Sequence, residues 1–241
     1  KFGLKYCLAV TNGTVALDIA IRVLEIKSNQ TIITTPKSYF SSSSQILRNN
    51  INLVFSDISL ISQNLDPDFL LSKINKDTKA VIFVHLGGNP CGIVEVAKIC
   101  KKKKIFLIED CSQAHGAKIN NKYAGSFGDI SIWSFCNDKI ISTGGEGGMI
   151  STNKKSLFLK IWAERDTGKN YFKYYKIYKN YRYKYLHDYI GTNARMTEIQ
   201  SIIGIEQLKE LNSYVKIRNT NANIILNEIK KFKSCFYNFN Y

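Results

Sequence analysis

The sequence predicts an α/β fold: a mostly parallel sheet with helices on both faces. Three observations predict it. Strand and helix patterns alternate through the first two-thirds of the 241 residues. Strands such as VIFVHL are continuous apolar runs, as strands covered on both faces read. Residues suited to starting helices or holding ligands recur where the strands end, which is where open α/β sheets bind.

The elements follow in order. Residues 6–11 read as a strand and 14–26 as an amphipathic helix. The next strand, 31–35, is closed by Pro36, and a helix at 42–49 is capped by the serine run 41–44. Residues 53–58 form a strand, 67–74 a short helix and 80–86 a buried strand. A helix over 92–103 ends in lysines, which suit the carbonyl end of the helix dipole, and the strand 105–110 follows. Beyond about residue 118 the pattern shifts to short strands at 130–135 and 148–152, then a helix at 155–165. A helix begins near 197, and a second, long one spans 212–232. The domains read as 1–211, a large domain, and 212–241, a connecting helix with the start of a smaller one.

Composition narrows the function. Six cysteines without a CxxC pair suit reduced thiols of a cytoplasmic protein, and three histidines without ligand spacing predict no metal. No apolar run is long enough to cross a bilayer, and the opening KFGLKYCLAV lacks the layout of a signal peptide, so no membrane partner is expected. Both ends read as cut. The net charge of +15 fits nucleic acid, an anionic membrane or anionic substrates, but it is spread along the chain.

Three signals fall at strand carboxyl ends. Thr11-Asn12-Gly13-Thr14 joins a strand to a helix, where backbone N–H groups and a hydroxyl suit an anion. Glu109-Asp110 ends the strand IFLIED; side chains alternate along a strand, so one of the two carboxylates faces the site. Lys139 lies between the strand ISIWSF, which carries Ser134, and the turn Gly144-Gly145-Glu146-Gly147-Gly148. A lysine against apolar surface is biased toward the neutral amine that attacks carbonyls. An anion pocket, a carboxylate and a Schiff-base lysine are together what pyridoxal 5′-phosphate (PLP) needs. From residues alone, Phe40 reads as core, Asn193 as a helix cap, and His85 and His115 as satisfied structural histidines.

Seven segments in this order resemble one family: TNGTVAL, TPKSYFS, VHLGG, IEDCSQAHGA, GSFGDISIWSFCNDK, STGGEGGMIST and GTNARMTEIQ. The chain is similar, from its first residues to about Leu211, to the PLP-dependent sugar aminotransferases of the DegT/DnrJ/EryC1/StrS group. The resemblance implies the large domain of a fold type I transferase, with the C-terminal small domain largely missing. It implies that Lys139 carries the cofactor and moves the proton, that Asp110 pairs with the pyridine nitrogen, and that Gln113 binds the ring hydroxyl. Gly13, Thr14 and Ser134 would hold the phosphate, and Phe40, rather than Tyr39, would stack on the ring. Asn193 would reach the partner subunit's site in a homodimer with shared active sites. The implied reaction moves an amino group from glutamate to a nucleotide-linked keto-sugar. The family's common NYRM reads NARM here, with Ala194 in the aromatic position.

Two rival functions are carried. A PLP-dependent sugar dehydratase of the same fold would have histidine in place of Lys139. A single-stranded nucleic-acid-binding protein is supported by residues 169–189, where tyrosines alternate with Lys and Arg. That stretch lies between two family-like segments and reads better as a connection whose rings pack on the body, so no nucleic-acid partner is expected.

Overall fold

The computed structural model describes residues 2–175 and 186–231. Its first five strands are β1 (Tyr6–Val10), β2 (Thr31–Thr34), β3 (Asn52–Phe55), β4 (Thr78–Val84) and β5 (Phe106–Asp110). A small hairpin, β6 (Lys118–Ile119) and β7 (Lys122–Tyr123), precedes β8 (Ile130–Ser134) and β9 (Gly148–Thr152). The helices are α1 (Gly13–Arg22), α2 (Ser41–Arg48), α3 (Pro67–Lys73), α4 (Ile93–Lys103), α5 (Lys155–Arg165), α6 (Tyr171–Tyr175) and α7 (Glu198–Ile229).

Seven strands form one sheet in the order β1-β9-β8-β5-β4-β2-β3. The pairings from β8 through β3 are parallel, and β9 is antiparallel to both β8 and β1. The six other strands therefore end at one edge of the sheet, and β9 begins there. Apolar residues fill both faces in alternation. Ala80, Ile82 and Val84 of β4 join α1, α2 and α5 in one core. Val81 and Phe83 join α3 and α4 in another. A third core, around Trp133 and Phe135, takes Leu211 of α7. Helices on both faces of a mainly parallel sheet are thus the observed architecture, as the alternating pattern predicts.

Several elements differ from the sequence reading. α1 stops at Arg22, and Glu25 just beyond it takes a positive φ of 54°. The serine run does not cap α2: Phe40 is the N-cap residue with helical backbone angles, and Ser41–Arg48 is already helix. The hairpin β6–β7 is closed by Asn120 and Asn121, both at positive φ (50° and 60°), the conformation a two-residue hairpin turn requires. α7 is one helix of 32 residues where two were expected, and its N-cap is Thr197, in a capping box with Gln200. Part of the Tyr/Lys-rich stretch forms α6, whose Tyr171, Tyr174 and Tyr175 rings pack round Trp162 with centroids 5.1, 5.5 and 6.0 Å away. Its residues 176–185, the end of the expected 212–232 helix and the start of the small domain lie outside the described residues. Among the described residues no helix is long and apolar enough to cross a membrane.

Candidate active site

The carboxyl ends of the parallel strands surround a cleft of about 350 Å³. One wall is the β1–α1 turn. Asn12 caps α1, its Oδ1 accepting from Val15 N at 2.8 Å, which leaves the first-turn N–H groups of Gly13 and Thr14 facing the cleft. Gly13 is required by packing: a Cβ there would lie 2.8 Å from Ser134 Cβ, so only glycine lets α1 start against β8. Ser134, 8% exposed at the end of β8, adds its hydroxyl to the same wall.

Asp110 ends β5 on the cleft side. It is 6% exposed; its Oδ1 accepts from Ser112 N at 3.0 Å and its Oδ2 from Ser42 Oγ at 3.2 Å. Ser42 in turn bonds Ser38 at 2.6 Å, so the serine run and the loop before α2 hold this carboxylate. Gln113 Oε1 accepts from Gly87 N at 2.6 Å, which fixes the amide and leaves its Nε2 donors free for a ligand. Lys139 follows β8; its ammonium is held 2.8 Å from Asp138 Oδ2 with 18% of its side chain exposed. That hydrogen bond holds the Asp138 carboxyl below its ordinary value.

Of the eight site residues named from sequence, Gly13, Thr14, Asp110, Gln113, Ser134 and Lys139 line this one cleft. Phe40 does not. It stands 74% exposed at the start of α2, not in the core, while Tyr39, itself 73% exposed, lines the cleft. Asn193 is also outside it. It is exposed and bridged to Asp166, and it does not cap α7. Asp166 also binds Lys169 at 3.0 Å and pairs with Arg195, which anchors the segment carrying Asn193. Ala194 is buried; it accepts from Thr11 N and donates to Arg165 O, both at 3.0 Å, tying that segment to the β1 end of the cleft.

Glu109 points away from Asp110 into the protein. Its two oxygens accept from Gly125 N (2.7 Å), Phe127 N (2.7 Å), Gly128 N (2.6 Å) and His85 Nε2 (3.0 Å). His85, Glu109 and Cys111 bring potential ligand atoms within 4.8 Å of one another. The carboxylate's acceptor positions are already filled, and burial, with Glu109 and Asp110 beside it, pushes the Cys111 thiol well above its ordinary value. The cluster is therefore a brace behind the cleft. It secures the 125–128 loop and, through His85 and Gly87, the Gln113 amide. Neither histidine is fully satisfied: His85 Nδ1 lacks a partner, and the buried His115 ring has only the Ser134 backbone near it.

The donor set fits PLP: free helix N–H groups and hydroxyls for a phosphate, a buried carboxylate for a pyridinium, an amide donor and a shielded amine. The sequence is 33% identical to the GDP-perosamine synthase of Escherichia coli O157:H7, across 98% of this chain and 64% of that protein. The fold superposes on the X-ray structure of the aminotransferase from Psychrobacter cryohalolentis with a TM-score of 0.93 and 39% identity, covering 97% of this chain and 59% of that one. It also superposes on the E. coli GDP-4-keto-6-deoxy-D-mannose-3-dehydratase with bound hydrated PLP, with a TM-score of 0.86 and 30% identity over 98% of this chain and 63% of that one. The chain thus spans about three-fifths of the length of such relatives. The family model for the DegT/DnrJ/EryC1/StrS aminotransferases matches residues 1–238, and to that family the chain belongs.

Proposed function

We propose that the protein to which this chain belongs transfers an amino group from glutamate to a nucleotide-linked keto-sugar with PLP as its cofactor. The observation that carries this reading is the meeting of Lys139 and Asp110 in one cleft with the open start of α1. Bound there, PLP supplies an electron sink and an amine carrier. The Gly13 and Thr14 N–H groups, with the Thr14 and Ser134 hydroxyls, bind the phosphate. Asp110 holds a proton at the pyridine nitrogen, and Ser42 and Ser112 keep that carboxylate in place. Gln113 Nε2 orients the ring through its hydroxyl. Lys139 Nζ, freed from Asp138, is the base that moves the proton at the substrate's reacting carbon. Tyr39, which lines the cleft where Phe40 does not, gives the aromatic cover. The cofactor-binding domain runs to about residue 211, a boundary that α7 crosses as one helix. In a homodimer, the exposed Asn193 serves the partner subunit's phosphate.

The dehydratase alternative needs histidine where this cleft presents the Lys139 amine. The test is borohydride reduction of the full-length protein incubated with PLP, followed by peptide mapping. A pyridoxyl mass is expected on residue 139 of the wild type and on no residue of Lys139→Ala. A label elsewhere in that variant defeats the assignment. Amine transfer from glutamate to GDP- and dTDP-linked keto-sugars then tests the substrate class.

A further inference from the structure

The charge of +15 runs along the whole sequence, but the fold gathers much of it at one edge. All strands except β9 end at the cleft, so they begin at the opposite edge, where β9 ends. There Lys5 precedes β1, Lys27 precedes β2, Lys76 precedes β4, the lysine run 101–104 precedes β5, and Lys154 and Lys155 follow β9. All of these side chains are exposed. The six strands from β1 to β2, about 4.8 Å apart, set them along a line of about 25 Å. Helix ends on both faces widen the line into a surface: α4 with the lysine run on one face, α2 with Arg48 on the other.

Few acids accompany these cations, and most are engaged. Glu25 pairs with Lys160 at 2.7 Å, Glu164 with Arg22 at 2.6 Å, and Asp129 with Lys154, which leaves Asp77 beside Lys76. The lining of the cleft is the reverse, with Asp110, Asp138 and Glu146 beside Lys139. Helix stability does not account for all of the lysines. Those ending α4 suit its carbonyl end, but Lys154 and Lys155 stand at the start of α5, where no acid in the first turn offsets the positive end of the dipole. At this edge lysines of α4, β7 and the end of β9 also meet round a groove of about 670 Å³, whose lining includes the half-buried rings of Phe106 and Phe127.

We propose that this edge docks on the surface of an anionic phospholipid bilayer, with the cleft facing away from it. The contact is with the surface alone: among the described residues no helix is long and apolar enough to cross a membrane. Lysine is a point charge on a flexible stem, suited to diffuse attraction by many headgroups. A nucleic-acid strand needs rings on which its bases stack, and among the described residues no aromatic side chain stands exposed at this edge. The proposal does not rest on the transfer reaction.

The test is flotation of the full-length protein with vesicles of phosphatidylcholine mixed with phosphatidylglycerol, and of phosphatidylcholine alone. Wild type is expected on the mixed vesicles only, and less so as salt rises. Replacing Lys76, Lys101 and Lys155 together by Gln is expected to weaken binding about a hundredfold, about fivefold per lysine, and replacing them by Arg to preserve it. A control with Lys37, Lys216 and Lys230 replaced by Gln has the same net charge and is expected to bind nearly as the wild type does. Equal losses in the edge variant and the control overturn the proposal, since net charge and not this edge would then govern binding. So does loss in the Arg variant, equal binding to both kinds of vesicle, or failure of the wild type to float. An edge that binds a fluorescent oligonucleotide while the protein ignores the vesicles is a nucleic-acid surface, and the proposal falls.

Discussion

Asp110 accepts two hydrogen bonds before any ligand arrives, from Ser112 N and from Ser42 Oγ. A buried carboxylate held in this way is ready to stabilise a cation, and its amide counterpart is not. Asp110→Asn in the full-length protein is expected to weaken PLP binding at least about tenfold, since a hydrogen bond to a charged group contributes about 1.5–3 kcal/mol. Ser42→Ala, which removes one of two donors to this carboxylate, is expected to cost about 1.5 kcal/mol, the low end of that range because Ser112 N still holds it. Fluorescence titration with PLP checks both, and equal affinities for Asp110→Asn and wild type would contradict the assigned role. Lys139 is legible in the sequence from its place between an apolar strand and a glycine-rich turn, and the Glu109-Asp110 pair from its strand end; that Asp110 is the one facing the cleft while Glu109 braces the loop behind it follows from the family-like segments and the fold. Ser42 is not legible, because its serine run reads equally well as a cap. The choice between Tyr39 and Phe40 is not legible either, because it depends on the backbone of the turn before α2. Among the described residues the cysteines divide by burial. Cys100 and Cys111 are buried, and burial pushes Cys100 up to about 12 with Asp129 adding to it; Cys7 and Cys91 are exposed and Cys136 half-buried. Desolvation raises the Cys7 and Cys136 thiols as well, so native labelling with iodoacetamide followed by mass mapping should modify Cys91 first, Cys7 and Cys136 more slowly, and spare Cys100 and Cys111.

At the scale of elements, the start of α1 couples packing to ligand binding. A Cβ on Gly13 would press within 2.8 Å of Ser134 Cβ and push helix from strand. Gly13→Ala is therefore expected to destabilise the fold by about 1–3 kcal/mol, the usual cost of overpacking, and to weaken phosphate-dependent binding. Urea unfolding, with PLP and pyridoxal compared as ligands, measures both effects; retention of wild-type stability and of the preference for PLP would refute the coupling. The core strands were legible because their apolar runs serve both faces of the sheet. The hairpin β6–β7 was not: its strands are two residues each and depend on the Asn120-Asn121 turn. The sequence reading divides this region into a helix from about 197 and another from 212, whereas α7 is continuous. No proline or glycine interrupts the chain around 212, and Leu211, fully buried against the third core, carries the helix through.

For the whole molecule, acid is the informative stress. The net charge of +15 at pH 7 grows as carboxylates protonate, and self-repulsion then opposes the compact state. Buried His115 adds a titration of its own. It lies between Trp133 and Phe135, with ring centroids 5.6 and 5.7 Å away, and burial lowers its value to about 4, against a backbone hydrogen bond at Ser134 that raises it and with the Lys139 charge adding to the lowering. Folded, it stays neutral well below the ordinary histidine range, whereas the unfolded chain takes up a proton near pH 6.5. The unfolded state therefore binds more protons between these values, so stability falls as pH drops from about 6.5 and has lost its full share by about 4. A shift of this size corresponds to about 3 kcal/mol. His115→Phe, which cannot be protonated, is expected to flatten the dependence of the urea midpoint on pH between 7 and 4 relative to the wild type. The midpoints of variant and wild type should converge or cross as the pH falls. Parallel curves across that range would mean that His115 is protonated in the folded protein, and the wall beside Lys139 would then carry a charge.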